Sequence, residues 1–353
     1  MSLSRFLASW LIVSGALFPV SVQAQKPADI PTFPQGTDVV TVPYSKPLDF
    51  NALNSLHVRM SINGGPAESF QVDTGSVGIV VGAIAVKNFD ASNGTPGELT
   101  YSSSGVHESG VWTTVEITFP DAKLPDGSPV VAHVPVLAVT NMDCTGKGVN
   151  AARCKPSSSA PNPHMLGIGF GRGGGFGTQL KNAFLQLDAM QQGKMRRGYL
   201  ISPKGIQLGL NAETVSGAWS WQKLVAREGK APDNYNGPRD WETAAGTFAV
   251  DGKAATMGSV LMDTGLTNMM LETKNAPQDG DVPGGTPVKI YLLGGQLSYD
   301  FKVNDSGNAA APRRTSWRPA THGTFVNTGL HPFTLFDYCY DADGGYLGLR
   351  PRK

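Results

Sequence analysis

Short alternations of apolar and polar residues dominate the chain. "NSLHVRMSI" (54–62), "WTTVEITF" (112–119) and "VVAHVPVLAV" (130–139) alternate or run apolar over strand lengths, and "FAVDG" (248–252) ends in a turn. One stretch carries a helical pattern. "TQLKNAFLQLDAMQQG" (178–193) spaces Leu180, Phe184, Leu185 and Leu187 as one face, with Thr178 as N-cap and Gly193 as stop. Residues 225–244 and 303–324 are polar, bear Gly and Pro, and predict loops. Two stretches fit neither a plain strand nor a plain turn. "FQVDTGSVGIVV" (70–81) and "SVLMDTGLTNMML" (259–271) are each an apolar strand interrupted by Asp-Thr-Gly and then resumed. Asp and Gly are poor strand residues, so each reads as a strand broken at a carboxylate. One such tripeptide is an ordinary turn. Its recurrence a lobe's length further on predicts two related halves, each presenting an aspartate.

Composition supports an all-β reading. The 353 residues include 43 Gly and 25 Pro, and only 16% are charged, which suits a turn-rich β protein better than a helical bundle or a disordered chain. Residues 1–24, "MSLSRFLASWLIVSGALFPVSVQA", carry one Arg, a short apolar stretch broken by Ser14, Gly15 and Pro19, and small residues at the end. They predict a signal peptide cleaved after Ala24 rather than a membrane anchor. Residues 25–45 are Pro-rich and predict an N-terminal tail or first edge. The rest divides into lobes at 46–205 and 206–353, one Asp-Thr-Gly in each. The location expected is secreted or periplasmic, and no basic pro-segment separates Ala24 from the first strand.

Charge narrows the partners. Lys and Arg number 29 against 28 Asp and Glu. That balance gives no electrostatic reason to expect nucleic acid or an anionic membrane. The three cysteines are Cys144, Cys154 and Cys339. An oxidising compartment favours a bridge closing "CTGKGVNAARC" between Cys144 and Cys154, leaving Cys339 as a buried thiol. The six His are scattered without ligand spacing, so no metal is expected. "GFGRGGGFG" (169–177) contains Gly-x-Gly-x-x-Gly, but the acid it needs about 20 residues on is missing. Asp188 lies inside the helical stretch and no second βα pattern follows. A tight surface loop is the better reading, and no cofactor is expected.

Two carboxylates held together in a partly desolvated cleft share one proton, and one of them ionises only at raised pH. Such a pair can hold a water, deprotonate it and protonate a leaving nitrogen. Gly after each aspartate allows close backbone approach, and Thr can bond across to the other loop.

With these residues in view, the chain resembles the pepsin-like aspartic proteases from about residue 55 to 350. "GGPAESFQVDTGS" is similar to the approach to the first Asp-Thr-Gly-Ser, "YSSSGVHESGVWTTVEI" to the flap hairpin, and "HMLGIGFG" to the apolar-apolar-Gly strand that follows. "RGYLISPKGIQLGL", "WSWQKL", "SVLMDTGLTN" and "FTLFDYCYDADGGYLGLRP" continue the resemblance in order. It implies a bilobal all-β acid-protease fold with the cleft between the lobes. It also implies an aspartic endopeptidase, whose paired carboxylates share one proton as is established for such enzymes. Asp73 and Asp263 would form the dyad, supported by Thr74, Gly75, Ser76, Thr264 and Gly265, with Tyr101 on the flap. The substrate would be a peptide or protein, acted on by a monomer with no membrane contact once the signal is cleaved. The rival is a catalytically silent relative that binds peptide or glycan in the same cleft or inhibits a partner enzyme.

The departures carry their own expectations. Val80 stands where the family tryptophan braces the flap tyrosine. Ser102, Ser103 and Ser104 occupy the flap tip, where the family favours Gly. "FVNTGLHPF" is a shortened form of the second lobe's apolar-apolar-Gly strand. Leu266 replaces the hydroxyl residue expected after the second Asp-Thr-Gly. Asp263 is therefore expected to lack the donor that Ser76 gives Asp73, with Thr267 as stand-in, and Leu266→Thr to move activity toward acid.

Overall fold

A computed structural model describes residues 30–47, 55–147 apart from 102, 154–156, 161–173, 177–227, 235–274, and 279–352 apart from 321 and 322, with isolated positions between. The signal-peptide stretch and Ser102 lie outside the described residues. Nearly all of the regular structure is β, in three sheets.

The first sheet has seven strands, in the order His57–Ile62, Glu68–Asp73, His164–Ile168, Val77–Gly82, Pro129–Cys144, Val106–Lys123, Thr95–Thr100. The Asp-Thr-Gly interruption is structural: the strand ends at Asp73 and resumes at Val77. The gap is filled by a strand from elsewhere. His164–Ile168 runs parallel to Glu68–Asp73 and antiparallel to Val77–Gly82, so Gly167 faces both Asp73 and Gly78. A Cβ on Gly167 would sit 2.7 Å from Ser76 Oγ and 2.8 Å from the Gly78 carbonyl, so only glycine lets the three segments cross.

The second half repeats the device in a nine-stranded sheet. Phe325–Asn327 runs parallel to Gly258–Leu261 and antiparallel to Met269–Thr273. The third sheet, of six strands, belongs to both halves: Val40–Val42, Gly205–Leu208, Gly198–Ser202, Phe336–Asp341, Tyr346–Pro351 and Ser220–Lys223. Part of the Pro-rich N-terminal segment is thus an edge strand, with Val40, Thr41 and Val42 opposite Leu208, Gln207 and Ile206. One continuous apolar core includes Val58 and Ile79 of the first sheet, Phe248 and Ile290 of the second, and Tyr199 and Phe336 of the third. Tyr199 ties the layers by donating from its hydroxyl to the Ile168 carbonyl at 2.7 Å.

Two expectations need correction. The stretch 178–193 is not one helix. It forms 3₁₀ turns at Thr178–Lys181 and Ala183–Leu185, then a short α-helix at Asp188–Gln191. Asn182 is extended and caps the Phe184 N–H with its side chain at 3.1 Å while donating to the Ile168 carbonyl at 2.9 Å. The local cap and the tertiary bond to Ile168 both compete with helix. Phe184, Leu185 and Leu187 are buried while Leu180 is exposed, so the four do not share one buried face. Gly177 in the left-handed region, not a Thr178 side-chain cap, precedes the first turn. Gly193 at φ 72° does close the segment. The predicted 303–324 loop also contains a strand, Thr315–Pro319, parallel to Met269–Thr273.

Cys144 and Cys154 are bridged, with Cα atoms 5.9 Å apart, and Cys339 is a free buried thiol. Of the glycine-rich 169–177 segment, residues 169–173 and Gly177 are described; they carry no helix, and a 3₁₀ turn follows at Thr178–Lys181 in place of the helix a dinucleotide loop requires. Gly171 N–H donates to Asp240 at 3.0 Å and Gly169 N–H to the Ser76 carbonyl at 2.8 Å, so the loop holds the two halves together.

Candidate active site

The two broken strands meet. Thr74 N–H donates to Thr264 Oγ1 and Thr264 N–H to Thr74 Oγ1, each at 3.0 Å. Each hydroxyl then donates across to the other loop: Thr74 to the Met262 carbonyl at 2.6 Å, Thr264 to the Val72 carbonyl at 2.7 Å. Both threonines are 1% exposed, so these reciprocal bonds form away from competing water. They lock the two loops face to face around a local twofold.

That locking brings the carboxylates together. A Cβ on Gly75 would lie 2.5 Å from the Asp263 carboxyl carbon, and one on Gly265 would lie 2.4 Å from Asp73 Oδ1. Any side chain at either glycine would occupy the place of the opposite carboxylate. Each glycine also donates its N–H to the aspartate of its own loop, Gly75 to Asp73 Oδ1 at 2.6 Å and Gly265 to Asp263 Oδ1 at 2.8 Å.

The other oxygens are held differently. Ser76 Oγ donates to Asp73 Oδ2 at 2.5 Å. Asp263 Oδ2 accepts instead from Asn327 Nδ2 at 2.6 Å. The expectation that Asp263 lacks a side-chain donor is therefore overturned, and Thr267 is not the stand-in. Its side chain is exposed, while its carbonyl accepts from His331 Nε2 at 2.9 Å. Asn327 ends the short strand that crosses between Gly258–Leu261 and Met269–Thr273. Its signal in the sequence is a polar residue closing the apolar run "FVN".

Asp73 and Asp263 are 5% and 8% exposed. Burial and then the negative charge of Asp263 push the Asp73 carboxyl up to about 8, against the lowering effect of the Ser76 and Gly75 bonds. The upward direction is the one expected where two neighbouring carboxyls share a proton. The carboxylates lie in a cleft of about 930 Å³ that Tyr101, Glu108, Arg172 and Leu266 also line. Arg172 donates to Thr243 Oγ1 at 2.7 Å and to the Phe170 carbonyl at 3.3 Å. Burial lowers its pKa, opposed by the charges of Asp263 and Asp73. Sequence reasoning did not single out Asn327, Glu108 or Arg172.

Tyr101 begins the turn of the hairpin Thr95–Thr100/Val106–Lys123, its N–H donating to the Val106 carbonyl at 2.9 Å. Val80 lies in a small apolar cluster with Leu137 and Val139, against which Leu99, Trp112 and Met165 pack. The turn is held from outside as well. Pro129–Cys144 pairs with the hairpin's second strand as far as Val106–Cys144, and Thr145 N–H donates to the Gly105 carbonyl at 2.8 Å. Among the described residues no group of three or more His, Cys, Asp or Glu is placed to hold a metal ion.

An all-β molecule with two crossed Asp-Thr-Gly loops at the floor of a cleft has the architecture of an aspartic peptidase. The chain matches the family described as PE-PGRS C-terminal aspartyl peptidase-like domain over residues 44–340, and it belongs to that family. No curated protein matches it.

Proposed function

We propose that the protein is an aspartic endopeptidase of pepsin-like mechanism, exported from the cytoplasm and acting as a monomer on peptides or unfolded proteins. The observation that carries this reading is the mutual fit of the two loops, in which each glycine leaves room for the opposite aspartate. A water seated between Asp73 and Asp263 loses a proton to the ionised carboxylate as its oxygen attacks the peptide carbonyl. The protonated carboxyl donates to the carbonyl oxygen. Collapse of the tetrahedral intermediate breaks the C–N bond: the proton taken from water passes to the leaving nitrogen, and one hydroxyl of the intermediate returns its proton to the dyad as the C=O re-forms. Thr74, Thr264, Gly75 and Gly265 fix the pair, Ser76 and Asn327 orient one carboxylate each, and Tyr101 covers the cleft. The Cys144–Cys154 bridge supports an oxidising compartment.

The test is digestion of an unfolded protein by the purified chain from mildly acidic to neutral pH, beside Asp73→Asn. Cleavage by the wild type alone is expected. Equal cleavage by both would end the reading. The silent-relative alternative keeps one supporting observation, the hairpin turn tied down at Gly105. Its other support, a missing donor at Asp263, is removed by Asn327.

A further inference from the structure

The wall of the cleft beneath the Tyr101 turn has a composition that the proposed peptide hydrolysis does not require. Leu99, Glu108 and Met142 are directly opposed on three adjacent strands, with Leu99 paired to Glu108 and Glu108 to Met142. Directly opposed residues point to the same face. All three line the cleft, as do Val106 and Tyr101. This face is therefore aliphatic with one carboxylate set into it. Glu108 is 3% exposed, and its Oε2 is fully enclosed without a hydrogen-bond partner. The Tyr101 hydroxyl is likewise enclosed and unpartnered. Among the described residues no ion pair involves Glu108, while Arg318 on the same cleft is committed to Asp279 at 3.1 Å.

Burial pushes the Glu108 carboxyl up to about 7, and burial, then Glu108, then Asp73 push the Tyr101 phenol well above its ordinary value. Without a cation the enclosed carboxyl keeps its proton up to about neutral pH, and an incoming positive charge would offset the cost of ionising it. Lysine and arginine side chains have the matching form, an aliphatic stem ending in a charged tip.

We infer that this wall is a subsite for a cationic substrate side chain, lysine or arginine, with Glu108 as charge partner and Leu99, Val106 and Met142 packing the stem. The inference rests on the cleft being a peptide-binding cleft, as proposed above, and names the peptides it selects. Glu108 acts on specificity and takes no part in bond breaking.

The test separates binding from hydrolysis. A set of alanine-rich peptides carries one lysine, or one norleucine, moved through each position in turn. Affinities are measured on Asp263→Asn protein at about pH 8, above the raised range of Glu108, and kcat/KM on the wild type. At one position lysine should bind at least about tenfold tighter than norleucine, a modest value for a desolvated charge pair. In the added Glu108→Gln background that ratio should collapse toward one. The ratio is taken within one protein, so changes in folded fraction cancel. Glu108→Leu, which suits the aliphatic wall, gives the same reading if the glutamine variant does not fold. Equal affinities at every position, binding of neither peptide, or a lysine preference that survives both substitutions would overturn the subsite. Lysine preference in binding without cleavage of any peptide by the wild type would overturn the hydrolysis and leave the subsite standing. Cleavage without any lysine preference would do the reverse.

Discussion

The two Asp-Thr-Gly loops share one backbone plan and solve one problem with opposite residues. The first loop has a hydroxyl three residues after its aspartate, Ser76, and an apolar residue, Met165, on its crossing strand. Met165 pairs with Gln71 and Val80. The second loop has Leu266 at the serine position, and Asn327 pairs with Leu261 and Met270, the equivalents of Gln71 and Val80. Donor and apolar residue have exchanged places, and each aspartate still has its outer oxygen held, at 2.5 Å by Ser76 and at 2.6 Å by Asn327. What the site requires is a donor at a point in space. Which chain segment supplies it is open, because the crossing strand brings a second segment to that point in either half. Leu266, read alone, suggests a damaged dyad; Leu266 read with Asn327 is one half of a compensated pair.

The comparison breaks outright if the two aspartates are not equivalent in the chemistry. Asp73→Asn and Asp263→Asn should each cut kcat by at least about a thousandfold, and the double variant should be scarcely slower than either. Turnover rates of the three proteins check this. Substantial activity in one single variant would mean that the loops, alike in backbone, are unlike in role.

The same substitution should act oppositely on stability. Asp73 is pushed up to about 8, so the folded state holds its proton more tightly than the unfolded state does. The associated stabilisation is complete below about pH 4 and is lost as pH rises toward 8. Asp73→Asn removes that loss. It should raise stability by about 1–4 kcal/mol at pH 8.5 and much less at pH 4, measured by urea denaturation at both. A variant equally destabilised at the two pH values would show that the Ser76 and Gly75 bonds outweigh the repulsion.

The exchange itself can be reversed. Asn327→Met leaves a buried carboxylate oxygen without its donor and should cost about 1–3 kcal/mol, with a fall in activity. Adding Leu266→Ser should return part of both, because it rebuilds the first loop's arrangement in the second. Denaturation and kcat/KM of the single and double variants form the cycle. Strict additivity would mean that residues 266 and 327 do not serve one point in space. The flap gives a separate contrast, since its turn is tied through Thr145 to the segment the disulfide closes. Cys154→Ser should cost about 2–3 kcal/mol and raise KM more than it lowers kcat.

How far the sequence reached follows from how local each feature is. Tyr101 at the hairpin turn came through the family resemblance, while the broken strands, the reciprocal glycines and threonines and the Cys144–Cys154 bridge all sit in short motifs. Their geometry is set within a few residues, so they could be read directly. Asn327 reaches Asp263 from 64 positions away through a parallel strand pairing, and its one local mark, a polar residue closing the apolar run "FVN", does not name that partner. Glu108 looks like one more polar residue of an alternating strand; only the three-strand register shows that it is enclosed with Leu99 and Met142. The misread helix had the opposite fault. Its apolar spacing was helical, but the bonds of Asn182 and the burial of Phe184, Leu185 and Leu187 without Leu180 overrode it.

The smallest effect is expected where the sequence alone points to a large one. With Leu266 considered by itself, Leu266→Thr adds a donor to Asp263, favours its ionised form, and should carry the activity profile toward acid by up to about one unit. The structure leaves little for that hydroxyl to do. Asp263 Oδ1 already accepts from Gly265 and Oδ2 from Asn327. A new donor must share an oxygen that is already bonded, and it must also replace the buried contacts of Leu266, which is 9% exposed. The expected shift is therefore in the acid direction but below about half a unit, with a stability cost of about 1 kcal/mol or more. Profiles of kcat/KM against pH for wild type, Leu266→Thr and Leu266→Thr with Asn327→Met decide it. In the double variant the oxygen is free, and the full shift relative to Asn327→Met alone should return. A full-unit acid shift in the single variant would mean that Asn327 holds Asp263 in place without favouring its charge, and that the two loops are less alike than their bonds suggest.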